Sequence, residues 1–166
     1  VVDVTPPLPR VGLGYDVHQF SDDPDRPFVL AGVTVEGQTG LVGHSDADAA
    51  AHAVADALLG AAGLGDIGQH FPDDDEQWKN ADSMMLLRAI ALRVQAAGFE
   101  IGNVDCTVIT EAPKLAPIRD EMEKNLSSAI DAPVSVKATR PESLGALGRG
   151  EGLACLAVAL IVPVER

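Results

Sequence analysis

Two runs near the start of the chain, RVGLGYDVHQF and FVLAGVTV, have the apolar character of strands and are joined by the acidic turn SDDPDRP. The periodicity then changes: from Asp46 to Ala62, DADAAAHAVADALLGAA is alanine-rich with helical spacing, Ser45 or Asp46 stands where an N-cap is needed, and glycines close the segment. The long polar loop GDIGQHFPDDDEQW separates it from a second helix over Ser83 to Ala97, ended by Gly98. EIGNVDCTVIT reads as a strand, APKLAPIRDEMEKNLSSAI becomes a third helix once past its prolines, and PVSVKAT is a further strand. GLACLAVALIVPV closes the chain as a continuously apolar strand. Strands and helices alternate without internal repeats or low-complexity linkers. The expected fold is therefore α+β, a single-domain two-layer sandwich with a mixed β-sheet and helices on one face. Residues 1–9 are expected to form a flexible Pro-rich lead and residues 10–166 the domain.

Composition narrows the choices. A length of 166 residues suits one domain with a proper core, and 46% hydrophobic against 4% aromatic residues means a core of Ala, Val, Leu and Ile. The formal charge of -13 opposes binding to nucleic acid or to an anionic membrane surface. No apolar run approaches a membrane span and VVDVTPPLPR does not resemble a signal peptide, so a cytoplasmic location is expected. An anionic small substrate would need a metal, a few placed cations and helix N-termini to offset the acidity. Cys106 and Cys155 lack a zinc or redox spacing and read as reduced core residues.

In an extended GYDVHQF segment, Asp16 and His18 point one way while Tyr15 and Val17 point the other. A turn bond for Asp16 and a packed imidazole for His18 would account for the pair alone; a metal site needs a third ligand. Asp48, His52 and Asp56 follow at intervals of four along the first helix, either as a solvated stripe or as a functional one. Asp16, His18 and His52 together supply three ligands and leave a fourth tetrahedral position open, as catalytic zinc sites do. Asp48 or Asp56 is then expected to orient a ligand imidazole. His44 and Ser45 precede the helix, where free N–H groups suit a phosphate, although Ser45 also reads simply as a cap. Gly148 to Gly152, GRGEG, permits either a plain turn or close approach of a ligand or another chain. Lys114 suits either a phosphate or solvent.

Taken in order, GYDVHQF, GHSDADAAAHAVADALLGAAGLGDIGQHFPDDD, APK and GRGEGLA resemble the 2-C-methyl-D-erythritol 2,4-cyclodiphosphate synthase family, from about Arg10 to Val162. The resemblance implies a homotrimer with active sites at subunit boundaries. Its reaction would convert 4-diphosphocytidyl-2-C-methyl-D-erythritol 2-phosphate to the cyclic diphosphate and CMP, a step toward isoprenoid precursors. It also implies zinc at Asp16, His18 and His52, and magnesium or manganese at Glu142. His44 would stabilise the transition state, with Ser45 beside it. Asp66, Ile67, Gly68 and the run Phe71, Pro72, Asp73, Asp74 and Asp75 would enclose the methylerythritol part, with Asp56 in the same substrate-contacting set. The segment holding Thr110, Ala112, Pro113, Lys114 and Leu115 would hold cytidine, and Thr139 and Arg149 would complete the substrate contacts. Arg149 and Glu151 would also line a central trimer cavity able to take an isoprenoid diphosphate.

The departures cluster near Glu142. In KATRPESLGALGRGEG, Arg140 and Pro141 replace threonines, Ala146 and Leu147 replace an aromatic residue and a threonine, and Asp74 stands where threonine is common. Arg140 takes the place of the second transition-state group, and a guanidinium pairs strongly with phosphate. A zinc phosphoesterase that activates water, and a non-catalytic trimeric binding module, are the competing expectations.

Overall fold

The computed structural model describes residues 8–164. Most of the N-terminal lead, residues 1–7, lies outside the described residues, and so does its expected flexibility.

The elements run β1 (Arg10–Gln19), β2 (Val29–Leu30), β3 (Val33–Thr34), α1 (Ala49–Ala62), α2 (Ile67–His70), a 3-10 turn (Glu76–Trp78), α3 (Ser83–Ala96), β4 (Phe99–Ile109), α4 (Arg119–Ile130), β5 (Val134–Thr139), α5 (Gly145–Gly148) and β6 (Gly152–Pro163). Four strands form one sheet in the order β1-β6-β4-β5. β6 is antiparallel to both neighbours, pairing Asp16 with Cys155 and Val108 with Cys155, whereas β4 and β5 are parallel. The crossover that a parallel pair requires is α4. α1, α3 and α4 cover one face, which gives the mixed two-layer sandwich expected from the alternating pattern.

The apolar run of the last strand makes sense in the middle of the sheet, where Leu153, Cys155, Ala157, Ala159 and Ile161 are fully buried. Cys106 and Cys155 are free, buried thiols, and burial pushes the Cys155 thiol up from its ordinary pKa. β1 is built the other way round: its helix-facing positions are Gly12, Gly14, Asp16 and His18, while Val11, Leu13, Tyr15 and Val17 are exposed on the open sheet face. Gly12 and Gly14 let α1 lie directly on the strand. A Cβ at Gly14 would stand 1.9 Å from the Ala53 carbonyl oxygen, and one at Gly12 would stand 2.0 Å from that of Ala57. This close approach sets His52 against the ligand end of β1.

Several local expectations need correction. FVLAGVTV is not one strand but the small hairpin β2–β3, bent at Ala31 and Gly32, which have φ of 51° and 69°. The first helix begins at Ala49 rather than Asp46, and its cap is Asp48, not Ser45 or Asp46. Ala47 has φ of 59° and ends any helical path before it, while the Asp48 carboxylate accepts the Ala50 and Ala51 N–H groups. The polar loop after α1 contains α2 and the 3-10 turn, capped by Asp66 and Asp75 respectively. The glycine-rich GRGEG stretch begins on the last residue of the short α5 and ends on the first of β6. No helix of the described residues is long and apolar enough to cross a membrane.

Candidate active site

Three side chains converge at the C-terminal end of β1 and the first half of α1. Asp16 Oδ2 lies 2.9 Å from His18 Nε2 and 3.1 Å from His52 Nδ1. Among the described residues this is the one group of three or more metal-type side chains whose ligand atoms lie together, all within 4.8 Å of one another. Strand alternation supplies the first two and the glycine-mediated seating of α1 supplies the third.

The donor set fits a divalent cation. His18 Nδ1 is 2.7 Å from the Val42 carbonyl oxygen, which can only accept, so Nδ1 carries the proton and Nε2 offers its lone pair to the cluster. That Nε2 is buried and lacks a hydrogen-bond partner of acceptable geometry among the described residues. An orphaned imidazole nitrogen beside a carboxylate oxygen and a second imidazole is the arrangement a tetrahedral cation completes. Burial works against a charge on Asp16, but the neighbouring His18 and His52 imidazoles outweigh it and hold the carboxyl well below the usual carboxylate range. Burial likewise opposes protonation of His18, yet Asp16 and the Val42 carbonyl together raise its pKa.

The cluster opens into a cavity of about 270 Å³. Its other walls include His44 and Ser45, then Ile67, Gly68, Phe71 and Asp73 from the loop beyond α1. His44 Nε2 donates to the Asp75 carbonyl oxygen at 3.2 Å and thereby ties the two walls together. The apolar side is stiffened by Phe71 packed edge-on against Trp78 at 4.9 Å, with the Arg93 guanidinium 5.1 Å from the Phe71 ring centre.

The His44–Ser45 loop is held from beneath by Arg26. Its guanidinium donates to the carbonyls of Leu41, Gly43 (3.0 Å) and Ser45 (2.7 Å), and it makes no ion pair among the described residues. Turning these carbonyls toward Arg26 keeps them from the cavity, and the unneutralised charge favours an anion there. Sequence reasoning missed Arg26 because it stands in an acidic turn, where it reads as a solvated cation.

Asp48 and Asp56 do not orient an imidazole, contrary to expectation. Asp48 is fully buried and its carboxylate is occupied by the N–H groups of Ala31, Gly32, Ala50 and Ala51. Burial is the main reason its pKa is raised, with those N–H bonds acting against the rise. Asp56 accepts the Ile67 N–H at 2.8 Å and so anchors the start of α2. His52 instead meets Ser83, whose Oγ lies 2.8 Å from Nε2, while Ser45 Oγ lies at 3.3 Å. Ser83 was hidden in the sequence because it follows Asp82 and looks like an ordinary helix start.

The other residues expected at the site do not line this cavity. Asp66 caps α2, whereas Pro72 and Asp74 stand in the exposed stretch that follows it. Thr110, Pro113, Lys114, Leu115, Thr139, Arg140 and Glu142 line a separate hollow of about 470 Å³. The Thr110 hydroxyl donates to the Ala112 carbonyl, and Ala112 and Glu151 border a further hollow. Arg140 Nε is 3.7 Å from Glu111 Oε2, and Arg149 pairs with Glu151 at 2.6 Å. Glu142 is exposed with φ of 53° and belongs to no cluster of three metal-type side chains among the described residues.

Comparison with known proteins identifies the family. The YgbB family model matches residues 9–162. The 2-C-methyl-D-erythritol 2,4-cyclodiphosphate synthase of Burkholderia ambifaria is 56% identical over 92% of this chain and 96% of its own length, and that of Burkholderia mallei is 55% identical over 92% and 95%. The IspF CDP complex of Plasmodium falciparum superposes with a TM-score of 0.81 at 34% identity, covering 95% of this chain and 97% of that one. The bifunctional IspDF of Campylobacter jejuni superposes with a TM-score of 0.90 at 42% identity over 95% of this chain, which spans 43% of that longer protein. The chain belongs to the YgbB family, among the 2-C-methyl-D-erythritol 2,4-cyclodiphosphate synthases.

Proposed function

We propose that this chain converts 4-diphosphocytidyl-2-C-methyl-D-erythritol 2-phosphate to 2-C-methyl-D-erythritol 2,4-cyclodiphosphate and CMP in the cytoplasm. Residues 10–166 act as one synthase domain behind the lead of residues 1–9. The observation that carries the assignment is the Asp16, His18 and His52 cluster, with its orphaned His18 Nε2, opening on a cavity walled by His44 and Ser45. A 2-phosphate oxygen attacks the β-phosphorus, the bond from that phosphorus to the bridging oxygen breaks, and CMP leaves with that oxygen. No covalent enzyme intermediate is needed, so the protein's contribution is positioning and electrostatic stabilisation.

Asp16, His18 and His52 would hold zinc, which when bound withdraws charge from the diphosphate. His44 and Ser45, on the loop supported by Arg26, hold the attacking phosphate. Asp66 to Gly68 and Phe71 to Asp75 enclose the methylerythritol part, and Asp56 fixes their starting point by its bond to Ile67. Thr110 to Leu115 serve the cytidine end, Thr139 and Arg149 complete the substrate contacts, Arg140 pairs with phosphate, and Glu142 would hold magnesium or manganese.

Thr110, Pro113, Lys114, Leu115 and Thr139 line a different hollow from the zinc cluster, which supports a homotrimer in which neighbouring copies complete each site. The open sheet face supports the same assembly: Val11 and Leu13 are both 66% exposed and Tyr15 and Val17 lie beside them, more apolar surface than a solvated sheet presents. Arg149 and Glu151 would then face the centre, where an isoprenoid diphosphate could sit.

The test is a phosphorus NMR time course with the cytidylylated 2-phosphate substrate and magnesium, before and after zinc chelation. Cyclic diphosphate and equimolar CMP, lost on chelation and restored by zinc, are the expected result. Linear phosphate products would point to a phosphoesterase instead, and zinc-loaded protein without turnover would point to a binding module.

A further inference from the structure

Both imidazoles of the cluster must keep a lone pair free, and the structure solves the problem differently for each. His18 is fixed by the Val42 carbonyl. For His52 the partner is a hydroxyl, which both donates and accepts, so its direction depends on what lies behind it.

Ser83 is 1% exposed at the start of α3, where its hydroxyl is not needed as a cap because Asp82 accepts the Met84 and Met85 N–H groups. Behind it stands Asp46. The Asp46 carboxylate accepts the Ser83 hydroxyl through Oδ1 and the Ser83 backbone N–H through Oδ2 at 3.1 Å. It is held in place by the Asp48 N–H, 3.2 Å from Oδ1, and by its own N–H, which donates to the Ala81 carbonyl at 3.1 Å. An ionised carboxylate only accepts, and a hydroxyl has one hydrogen. Once that hydrogen goes to Asp46, Ser83 Oγ faces His52 with a lone pair, and Nε2 must supply the proton across the 2.8 Å contact. Ser45 Oγ is farther from Nε2, at 3.3 Å, accepts the Ala47 N–H, and lies 3.4 Å from Ser83 Oγ, to which its own hydrogen can go.

We propose that Ser83 and Asp46 are positioning residues acting in series on His52: together they keep its proton on Nε2 and present Nδ1 to the cation held with Asp16 and His18. The charge of Asp46, transmitted through the hydroxyl, also strengthens the imidazole as a ligand. The inference rests on the metal assignment made above. It implies that the start of α3, an element contributing no ligand, sets the quality of the site.

The test is zinc affinity by competition with a chromophoric chelator, with cobalt(II) absorption as a second readout, in wild type, Ser83→Ala, Asp46→Asn, the double variant and Ser83→Thr. Ser83→Ala is expected to weaken zinc about 10–100-fold, the range usual for outer partners of ligand histidines. Ser83→Thr keeps the hydroxyl and should restore most of the affinity. Asp46→Asn should weaken zinc in the wild-type background and add little in Ser83→Ala, because a relay is interrupted only once. Apo circular dichroism of each variant separates lost folding from lost ligation. Wild-type affinity in folded Ser83→Ala, or fully additive effects of the two substitutions, would overturn the inference while leaving the metal assignment standing. Wild type that binds no zinc would overturn both.

Discussion

Gly14→Ala asks how closely α1 must lie on β1 for the ligands to meet. The added Cβ would stand 1.9 Å from the Ala53 carbonyl oxygen and 2.7 Å from the Ala57 nitrogen, both backbone atoms that no rotamer change can move. Ordinary contact begins at 3.4 Å, so the helix must retreat by 3.4 − 1.9 = 1.5 Å along that line. His52 precedes Ala53 and moves with it, whereas Asp16 and His18 stay on the strand. Metal-ligand distances tolerate only about 0.2 Å. Zinc binding should therefore fall by more than 100-fold, a drop of at least ~2.7 kcal/mol in binding free energy. Overpacking of this kind costs about 1–3 kcal/mol of stability, which lowers the urea midpoint by about 1 M for an m-value near 2 kcal/mol/M. Gly60→Ala is the matched control on the same helix. Its Cβ would meet nothing within 4 Å, and the substitution should stabilise by about 0.5–1 kcal/mol through helix propensity. Urea unfolding and zinc competition on the two variants decide the matter. A Gly14→Ala protein with wild-type midpoint and zinc affinity would refute the claim that the glycine contact places His52.

Arg26→Ala leaves the Leu41, Gly43 and Ser45 carbonyls without their guanidinium donor and frees the His44 loop. A misplacement near 1 Å is enough to lower kcat/KM for CMP release by roughly 100-fold, with Arg26→Lys intermediate; near-wild-type rates in Arg26→Ala would show that the loop holds its own shape. Asp48→Ala removes the α1 cap and strands the buried Ala31 N–H, so chemical denaturation should show a loss of about 2–4 kcal/mol. A loss below 1 kcal/mol would mean that the hairpin finds other acceptors. Cys106 and Cys155 are fully buried and burial raises the Cys155 thiol, so neither should react with a thiol reagent in native buffer, and both should react in urea. Rapid native labelling would show that the sheet opens near its centre.

The parts of this protein that follow from local chemistry were readable in order along the chain. Strand alternation at Asp16 and His18, the alanine-rich periodicity of α1 and the continuous apolar run of β6 each reflect a short-range rule, and the structure keeps all three. The metal-type triad was legible for the same reason, since each side chain lies at a position whose direction its own element dictates. What surrounds the triad was not. Asp48, spaced four residues from His52, looked like an imidazole partner, but tertiary contact with the Ala31–Gly32 bend makes it a buried cap. Arg26 and Ser83 looked like a solvated turn cation and a helix start, and became parts of the site only because distant segments close on them, across 17 residues to Gly43 in one case and 31 to His52 in the other. Periodicity decides which way a side chain points from its own element. What it meets there is decided by the packing of the elements, here by two glycines that allow a helix to rest on a strand.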